Sequence, residues 1–333
     1  MGRIADFGVV QSVEITVLVD NNADLIARST DTVRRFTKEP LLAEHGLAVL
    51  VDLEEAGVSI LWDAGISQIA LLGNAERMEL DLTAVDRIAL SHGHRDHYAA
   101  MTQVIRRVAR KPEPREWAKD APMDKICSWV NGHKVPLIAH PAAFRERWTI
   151  AQDGKKHGPH QVPREEWEAA GAKIVLSEGP YRLGPGCWTT GAIPRNSFEQ
   201  AGLPPSLAYR EGDEFIRDFL DDDQAIIIHV RDKGLVILTG CAHSGVVNTV
   251  RYAREISGVD RVFAILGGFH LGRAKDDEIE RTIDEMVSMM PEMVVPSHCT
   301  GFKATSRFSE RMPDQFVQGV VGTKYLFGHH TGG

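Results

Sequence analysis

The chain has 333 residues, of which 43% are hydrophobic and 25% are charged, as in an ordinary soluble globular protein. Its 46 acidic and 38 basic residues give a formal net charge of -8, and no basic run is long enough to follow a phosphate backbone. These properties exclude a disordered or fibrous chain and argue against nucleic acid as a partner. The longest apolar runs have only the length of a strand, and the first residues do not resemble a signal peptide. We therefore expect a cytoplasmic protein with no membrane partner.

Two hairpins of similar design are predicted from the alternation of apolar and polar residues. The first pairs residues 47–53 with 58–62, and the second pairs 225–230 with 235–239. Each hairpin ends in a turn of small residues that leads into a helical pattern. This repetition predicts a single domain, residues 1–333, built of two similar halves at about 13–140 and 172–327. Further strands are predicted at residues 13–20, 87–90, 135–139, 261–266 and 293–296.

Proline, glycine and charged residues are concentrated between the two halves. Residues 111–115 read KPEPR and residues 154–163 read GKKHGPHQVP. Such segments favour loops over packed elements. We therefore expect a surface insertion at about residues 111–170.

The sequence His-Gly-His-Arg-Asp-His at residues 92–97 directly follows a predicted strand. In an extended segment residues two apart point to the same side, so His92 and His94 can face one ion. Asp96 and His97, beyond the bend, can reach a second position nearby. Imidazole suits zinc, iron or manganese, and a carboxylate can bind a second ion. The alternative is that Asp96 only caps the following helix and the histidines lie on the surface.

This segment resembles the signature of the metallo-β-lactamase superfamily, and Asp63 in ILWDAG matches the aspartate that precedes the signature there. The resemblance spans most of the chain. It implies an α/β fold, the four-layer αββα metallo-β-lactamase sandwich, with a dinuclear metal site at one edge of the paired sheets. His298 in SHCTG matches the last histidine ligand of that family.

The chain departs from the family pattern at two points. Residues 189–195, TTGAIPR, replace the usual Thr-Pro-Gly-His and contain no histidine, and Cys241 replaces the bridging aspartate after Thr-Gly. We predict that His243 supplies the missing imidazole, the alternative being a hydrogen bond to a ligand. Cys241 either binds metal through its thiolate or packs as a small core residue. His270, which follows two glycines, is a ligand, a substrate contact or an anchor of its own loop.

The segments TGCAHSG, GGFHL and SHCTG together resemble a subgroup of the superfamily. That subgroup includes the archaeal dihydropterin–ribofuranosylaminobenzene phosphate synthase of methanopterin biosynthesis and bacterial relatives with diverse or unassigned roles. Asn21 and His45 match its N-terminal features and are candidate substrate contacts, with strand-end capping as the alternative. Arg195 is a candidate contact for a phosphate or carboxylate, the alternative being an exposed salt bridge.

These residues predict a metal-dependent hydrolase in which a metal-activated hydroxide, oriented by the catalytic Asp96, attacks a small anionic phosphoester, lactone or amide. Two zinc ions are expected as cofactors, with iron or manganese as alternatives, and an oligomer is left open. One alternative function is a C–C or C–N bond-forming transferase similar to the pterin synthase. Another is a non-catalytic, metal-stabilised binding or sensor protein. The predicted ligands are His92, His94, Asp96, His97, His243 and His298.

Overall fold

A computed structural model describes residues 2–109, 115–201 and 206–328 of the chain. Residues 111–114 of the predicted insertion, and the unassigned His329 and His330, lie outside the described residues. The strands are β1 (Ser12–Val19), β2 (Val33–Arg35), β3 (Ala48–Leu53), β4 (Val58–Trp62), β5 (Arg87–Ala89), β6 (Val135–Ala139), β7 (Arg147–Ile150), β8 (Lys156–His160), β9 (Ala172–Leu176), β10 (Tyr181–Gly184), β11 (Cys187–Thr189), β12 (Leu207–Glu211), β13 (Glu214–Arg217), β14 (Ala225–Val230), β15 (Gly234–Thr239), β16 (Val262–Gly268), β17 (Met293–Ser297) and β18 (Thr323–Gly328). The α-helices are α1 (Gln68–Arg77), α2 (Arg95–Tyr98), α3 (Met101–Val108), α4 (Met123–Asn131), α5 (Arg164–Ala170), α6 (Val246–Ser257), α7 (Asp276–Met289) and α8 (Phe302–Arg311).

Two large mixed sheets form the centre of the molecule. The first has eight strands in the order β2–β18–β1–β3–β4–β5–β6–β9, and the second has six in the order β10–β11–β14–β15–β16–β17. Both predicted hairpins are confirmed, since β3 pairs antiparallel with β4 and β14 with β15. The structure also pairs β9 and β18, from the predicted second half, with strands of the first sheet.

Three buried apolar clusters separate four layers of secondary structure. The middle cluster joins the facing sides of the two sheets, with Ile60 and Trp62 on one side and Ile228 and Leu238 on the other. An outer cluster packs the first sheet against α1, α3 and α5, and another packs the second sheet against α6, α7 and α8. Because both faces of the second sheet are covered, β14 and β15 are almost continuously apolar. The layers are therefore helix, sheet, sheet, helix.

A third sheet, in the order β13–β12–β7–β8, is smaller and more exposed. Its strands come from residues 147–160 and 207–217, so the segment predicted as a surface insertion contributes half of it. The same segment also contains β6, a strand of the first sheet, and α5, whose Trp167 is fully buried. Within the described residues, every helix is too short or too polar to cross a bilayer.

The topology brings several loops to one edge of the two sheets. Strand β4 runs parallel to β5, and β15, β16 and β17 run parallel to one another. The carboxyl ends of parallel strands meet at the same sheet edge, where polar loop residues of α/β proteins often form sites. The residues that follow these strands include the histidine-rich segment at 92–97, His243, His270 and His298.

Candidate metal site

Three histidines from both sheets converge at this edge. The Nε2 atom of His243 lies 3.1 Å from Nε2 of His92 and 3.2 Å from Nδ1 of His94. His92 and His94 follow β5 in the first sheet, and His243 follows β15 in the second. The extended backbone of His94, at φ -89° and ψ 145°, fits the predicted same-side arrangement. We call His92, His94 and His243 the three-histidine group.

A second group contains four different ligand atoms. Asp96, His97, Cys241 and His298 place one donor atom each within 4.8 Å of one another. The Nε2 atom of His97 lies 3.1 Å from Sγ of Cys241, and Nε2 of His298 lies 3.4 Å from Oδ2 of Asp96. We call these four residues the mixed group. The six predicted ligands therefore all lie in one of the two groups, and Cys241 lies with them.

Cys241 also belongs to a third, overlapping cluster with His243 and His270, whose donor atoms again lie within 4.8 Å of one another. The rings of His243 and His270 are 4.1 Å apart between centroids. Cys241 is thus close to both the three-histidine group and the mixed group.

Carboxylate and amide side chains orient two of the candidate ligands. The Oδ2 atom of Asp63 lies 2.6 Å from Nδ1 of His97, and Asp63 also accepts hydrogen bonds from the backbone N–H and the hydroxyl of Ser91. Oδ1 of Asn21 lies 3.1 Å from Nδ1 of His298. In both imidazoles Nδ1 donates its proton to this oxygen, so Nε2 faces the other ligand atoms of the mixed group.

Burial keeps the three-histidine group neutral. It lowers the pKa of His92 and of His243 well below the ordinary value, and it lowers the pKa of His94 to about 4. A neutral imidazole offers a lone pair, which is the form that binds metal. The three side chains are therefore ready to bind a cation at neutral pH.

The mixed group has the opposite electrostatic character. Burial opposes ionisation of His97, but the carboxylates of Asp63 and Asp96 outweigh it and raise its pKa to about 9. Burial also opposes ionisation of Asp96, but the nearby His97 and His298 hold its pKa well below the ordinary value. In the metal-free protein the carboxylates of Asp63 and Asp96 thus favour the protonated, positively charged form of His97. They would stabilise a bound cation in the same way.

The donor set fits a transition metal. Nε2 of His243 faces two other ring nitrogens but carries at most one proton, so hydrogen bonds cannot satisfy all three atoms, whereas a cation between them would. Nδ1 of His270 is buried without a hydrogen-bond partner among the described residues, and Nε2 of His298 has the carboxylate of Asp96 at 3.4 Å. Nitrogen, sulfur and carboxylate oxygen are the ligands that zinc takes in proteins.

Four non-glycine residues in or beside these loops adopt positive φ angles. They are Asp63 at 61°, Ala242 at 53°, His270 at 49° and His298 at 48°. Such conformations cost of order 1–3 kcal/mol each and are concentrated at functional sites. Half of the eight non-glycine residues with positive φ among the described residues lie in these loops, which marks the loops as a candidate functional region.

The other predicted site residues lie outside the two groups. Nε2 of His45 is 3.2 Å from Oδ2 of Asp96, and its side chain is 63% exposed. Asn21 forms hydrogen bonds with His45 and with the candidate ligand His298. Arg195 donates through Nη2 to the carbonyls of Phe219 and Leu220, while its Nη1 is buried without a partner among the described residues.

Sequence reasoning missed a group of buried residues behind the ligands. Asp222 accepts a hydrogen bond from the backbone N–H of Gly93 at 2.7 Å, and Arg147 binds Asp222 at 2.6 Å. The only available signal was the run of three aspartates at residues 221–223 just before a predicted strand. Nothing in that run indicates that it contacts residue 93.

Comparisons with known proteins agree with this architecture. No protein-family model matches the chain. A synthase of Methanocaldococcus jannaschii, 7,8-dihydropterin-6-methyl-4-(beta-D-ribofuranosyl)-aminobenzene-5'-phosphate synthase, is 29% identical over 282 residues, which cover 83% of this chain and 88% of the synthase.

Two solved structures are similar over almost the whole length. A metal-dependent hydrolase of the β-lactamase superfamily has a TM-score of 0.69 at 22% identity, covering 95% of this chain and 100% of that one. A metallo-β-lactamase-fold protein of Bacillus subtilis has a TM-score of 0.50 at 12% identity, covering 95% and 100%. The chain therefore has the metallo-β-lactamase fold, and its sequence resembles that of the archaeal synthase over most of its length.

Proposed function

We propose that this protein is a metal-dependent hydrolase that acts on a small anionic substrate. The observation that carries the proposal is the convergence of the three-histidine group and the mixed group at one partly open edge of the fold. Cations bound there would supply Lewis acidity and would lower the pKa of a water molecule. Esters of phosphate, lactones and amides are the substrate classes that such chemistry serves.

The ligand types favour zinc in this proposal, with iron or manganese as alternatives. His92, His94 and His243 would hold one ion, and Asp96, His97, Cys241 and His298 would hold another. A thiolate is a soft ligand that favours zinc over manganese. Cys241, whose Sγ also lies near the donor atom of His243, would help to hold the ion of the mixed group.

The chain's own residues would orient the reacting groups. Asp96 lies at the opening, where its carboxylate can accept a hydrogen bond from the attacking water and hold it toward the substrate. Arg195 is the proposed anion contact, because its Nη1 has no partner among the described residues while Nη2 is fixed by two carbonyls. His45 and Asn21 would line the entrance.

The test is turnover by the metal-loaded full chain on simple phosphodiester, lactone and β-lactam substrates. Hydrolysis that falls at least about 100-fold in His92→Ala and His243→Ala supports the proposal. His157→Ala, an exposed histidine of the third sheet, is the matched control and should leave the rate unchanged. Full activity of His243→Ala would contradict the proposal, and metal binding without turnover of any substrate would favour a binding or sensor protein.

A second candidate is a C–C or C–N bond-forming transferase, and the similarity to the archaeal synthase favours it. The same two cation positions could stabilise charge on a leaving group in either reaction. The candidates separate in one assay. A transferase acts only when a pterin diphosphate and an amine-bearing acceptor are both supplied, whereas a hydrolase needs only its ester, lactone or amide.

A further inference from the structure

Three consecutive residues contact the loops that carry the three-histidine group. We propose that Asp222, Asp223 and Gln224 form a brace that sets the positions of His92, His94 and His243 relative to one another. The inference rests on the proposed metal site and concerns residues that position ligands without binding metal themselves. The brace lies between β13 and β14, and both histidine-bearing loops touch it.

Each residue of the brace bonds to a peptide group beside a candidate ligand. Oδ2 of Asp222 accepts from the N–H of Gly93 at 2.7 Å, and Oδ2 of Asp223 accepts from the N–H of Ser244 at 2.8 Å. The backbone N–H of Gln224 donates to the carbonyl of Ser91 at 3.2 Å. Ser91 and Gly93 flank His92, Gly93 also precedes His94, and Ser244 follows His243. One short segment therefore joins loops that belong to different sheets.

Arg147 fixes the brace from the third sheet. Its Nη2 lies 2.6 Å from Oδ1 of Asp222 and its Nε lies 2.7 Å from Oδ2 of Asp218, and the residue is only 6% exposed. The ion pair with Arg147 offsets the cost of burying the Asp222 carboxylate, and the planar guanidinium leaves the second oxygen of Asp222 free for Gly93. The third sheet thus contributes to the site through β7.

Gly93 is pressed closely against this support. A Cβ atom at that position would lie 2.3 Å from Nη1 of Arg147 and 2.5 Å from the carbonyl oxygen of Ala143. No side chain larger than hydrogen fits there without movement of the guanidinium or the backbone. Gly93 therefore packs against Arg147 and also donates a hydrogen bond to Asp222.

A matched pair of variants separates positioning from general stability. Asp222→Ala and Asp218→Ala each remove one carboxylate from Arg147, and both aspartates are buried. Only Asp222 reaches Gly93. We expect both variants to lose similar resistance to urea in the metal-free state, whereas only Asp222→Ala should alter the three-histidine group.

The experiment is a cobalt(II) titration of the full chain against a competing chelator. Asp222→Ala should bind one of its two cobalt ions about 10- to 100-fold more weakly than the wild type, as is typical when a group supporting a ligand is lost. Asp218→Ala should bind both ions as the wild type does. The thiolate-to-cobalt absorption from Cys241 should remain in both variants, because that side chain belongs to the mixed group.

Equal cobalt affinities of the two variants would overturn the brace. Amide hydrogen exchange of the metal-free chains gives a readout that does not depend on bound metal: exchange at residues 92–94 should accelerate in Asp222→Ala and not in Asp218→Ala. Equal exchange there would also overturn the brace. Failure of the wild type to bind cobalt would instead refute the proposed metal site.

Discussion

The support of His97 by Asp63 leads to a quantitative prediction. Asp63 is fully buried, and its Oδ2 lies 2.6 Å from Nδ1 of His97 and 2.7 Å from the hydroxyl of Ser91. Asp63→Asn keeps the shape and can still accept the backbone N–H of Ser91, but it removes the charge that orients the imidazole. Losing such a partner typically weakens metal binding about 10- to 100-fold, or about 1.4–2.7 kcal/mol.

The same substitution should reduce the stability of the metal-free fold. Breaking a buried charged pair by changing one partner costs about 3–5 kcal/mol, and we expect the lower end because asparagine retains one of the hydrogen bonds. Zinc competition with a chromophoric chelator and urea unfolding in the presence of EDTA measure the two effects. The matched control is Asp81→Asn, an exposed aspartate that caps a short turn.

Two results would refute this reasoning. Zinc affinity of Asp63→Asn within about twofold of the wild type would mean that His97 needs no carboxylate to orient it. An equal loss of affinity in Asp81→Asn would mean that the assay reports general charge and not the contact with His97.

Three further predictions concern neighbouring residues. Gly93→Ala should destabilise the fold by about 1–3 kcal/mol in urea, because the new methyl group would overlap Nη1 of Arg147, whereas Gly132→Ala, with ordinary contacts, should be close to neutral. Cys241→Ser should abolish the thiolate-to-cobalt absorption band while leaving a cobalt ion on the three-histidine group, and a persisting band would exclude Cys241 as a ligand. Burial raises the pKa of Asp223 from 3.8 to about 6. Protonation of this carboxyl therefore stabilises the folded state fully below pH 3.8, and the stabilisation, about 3 kcal/mol, is lost as the pH rises through about 6. Urea unfolding of the metal-free chains should therefore show a smaller fall between pH 4 and 6 in Asp223→Asn, and identical pH profiles would contradict the assignment.

The predictable parts of this structure depend on residues that are near one another in the chain. The hairpins follow from alternating apolar residues and small turns, and β3, β4, β14 and β15 lie where that pattern predicts them. His92 and His94 are two residues apart in an extended segment, so their common direction could be read directly. His243 could be proposed as a ligand because residues 189–195 contain no histidine where the metallo-β-lactamase pattern has one.

The remaining features depend on distant pairs. Asp222 contacts Gly93 across 129 residues and Arg147 across 75, and no local pattern encodes either contact. Arg147 lies between two stretches rich in proline, glycine and charge, in a segment predicted as a surface insertion and not as the place of a buried ion pair. Composition indicates how exposed a segment is on average, but a single buried arginine is determined by the carboxylates that surround it.

Metal analysis of the full chain, purified without added metal, tests the central claim most directly. Two transition-metal ions per chain, removed by a chelator with a loss of resistance to unfolding, are the expected result, since bound metal stabilises the native state. A chain that holds no transition metal, and that unfolds identically with and without chelator, would contradict the metal site and the hydrolase proposed from it.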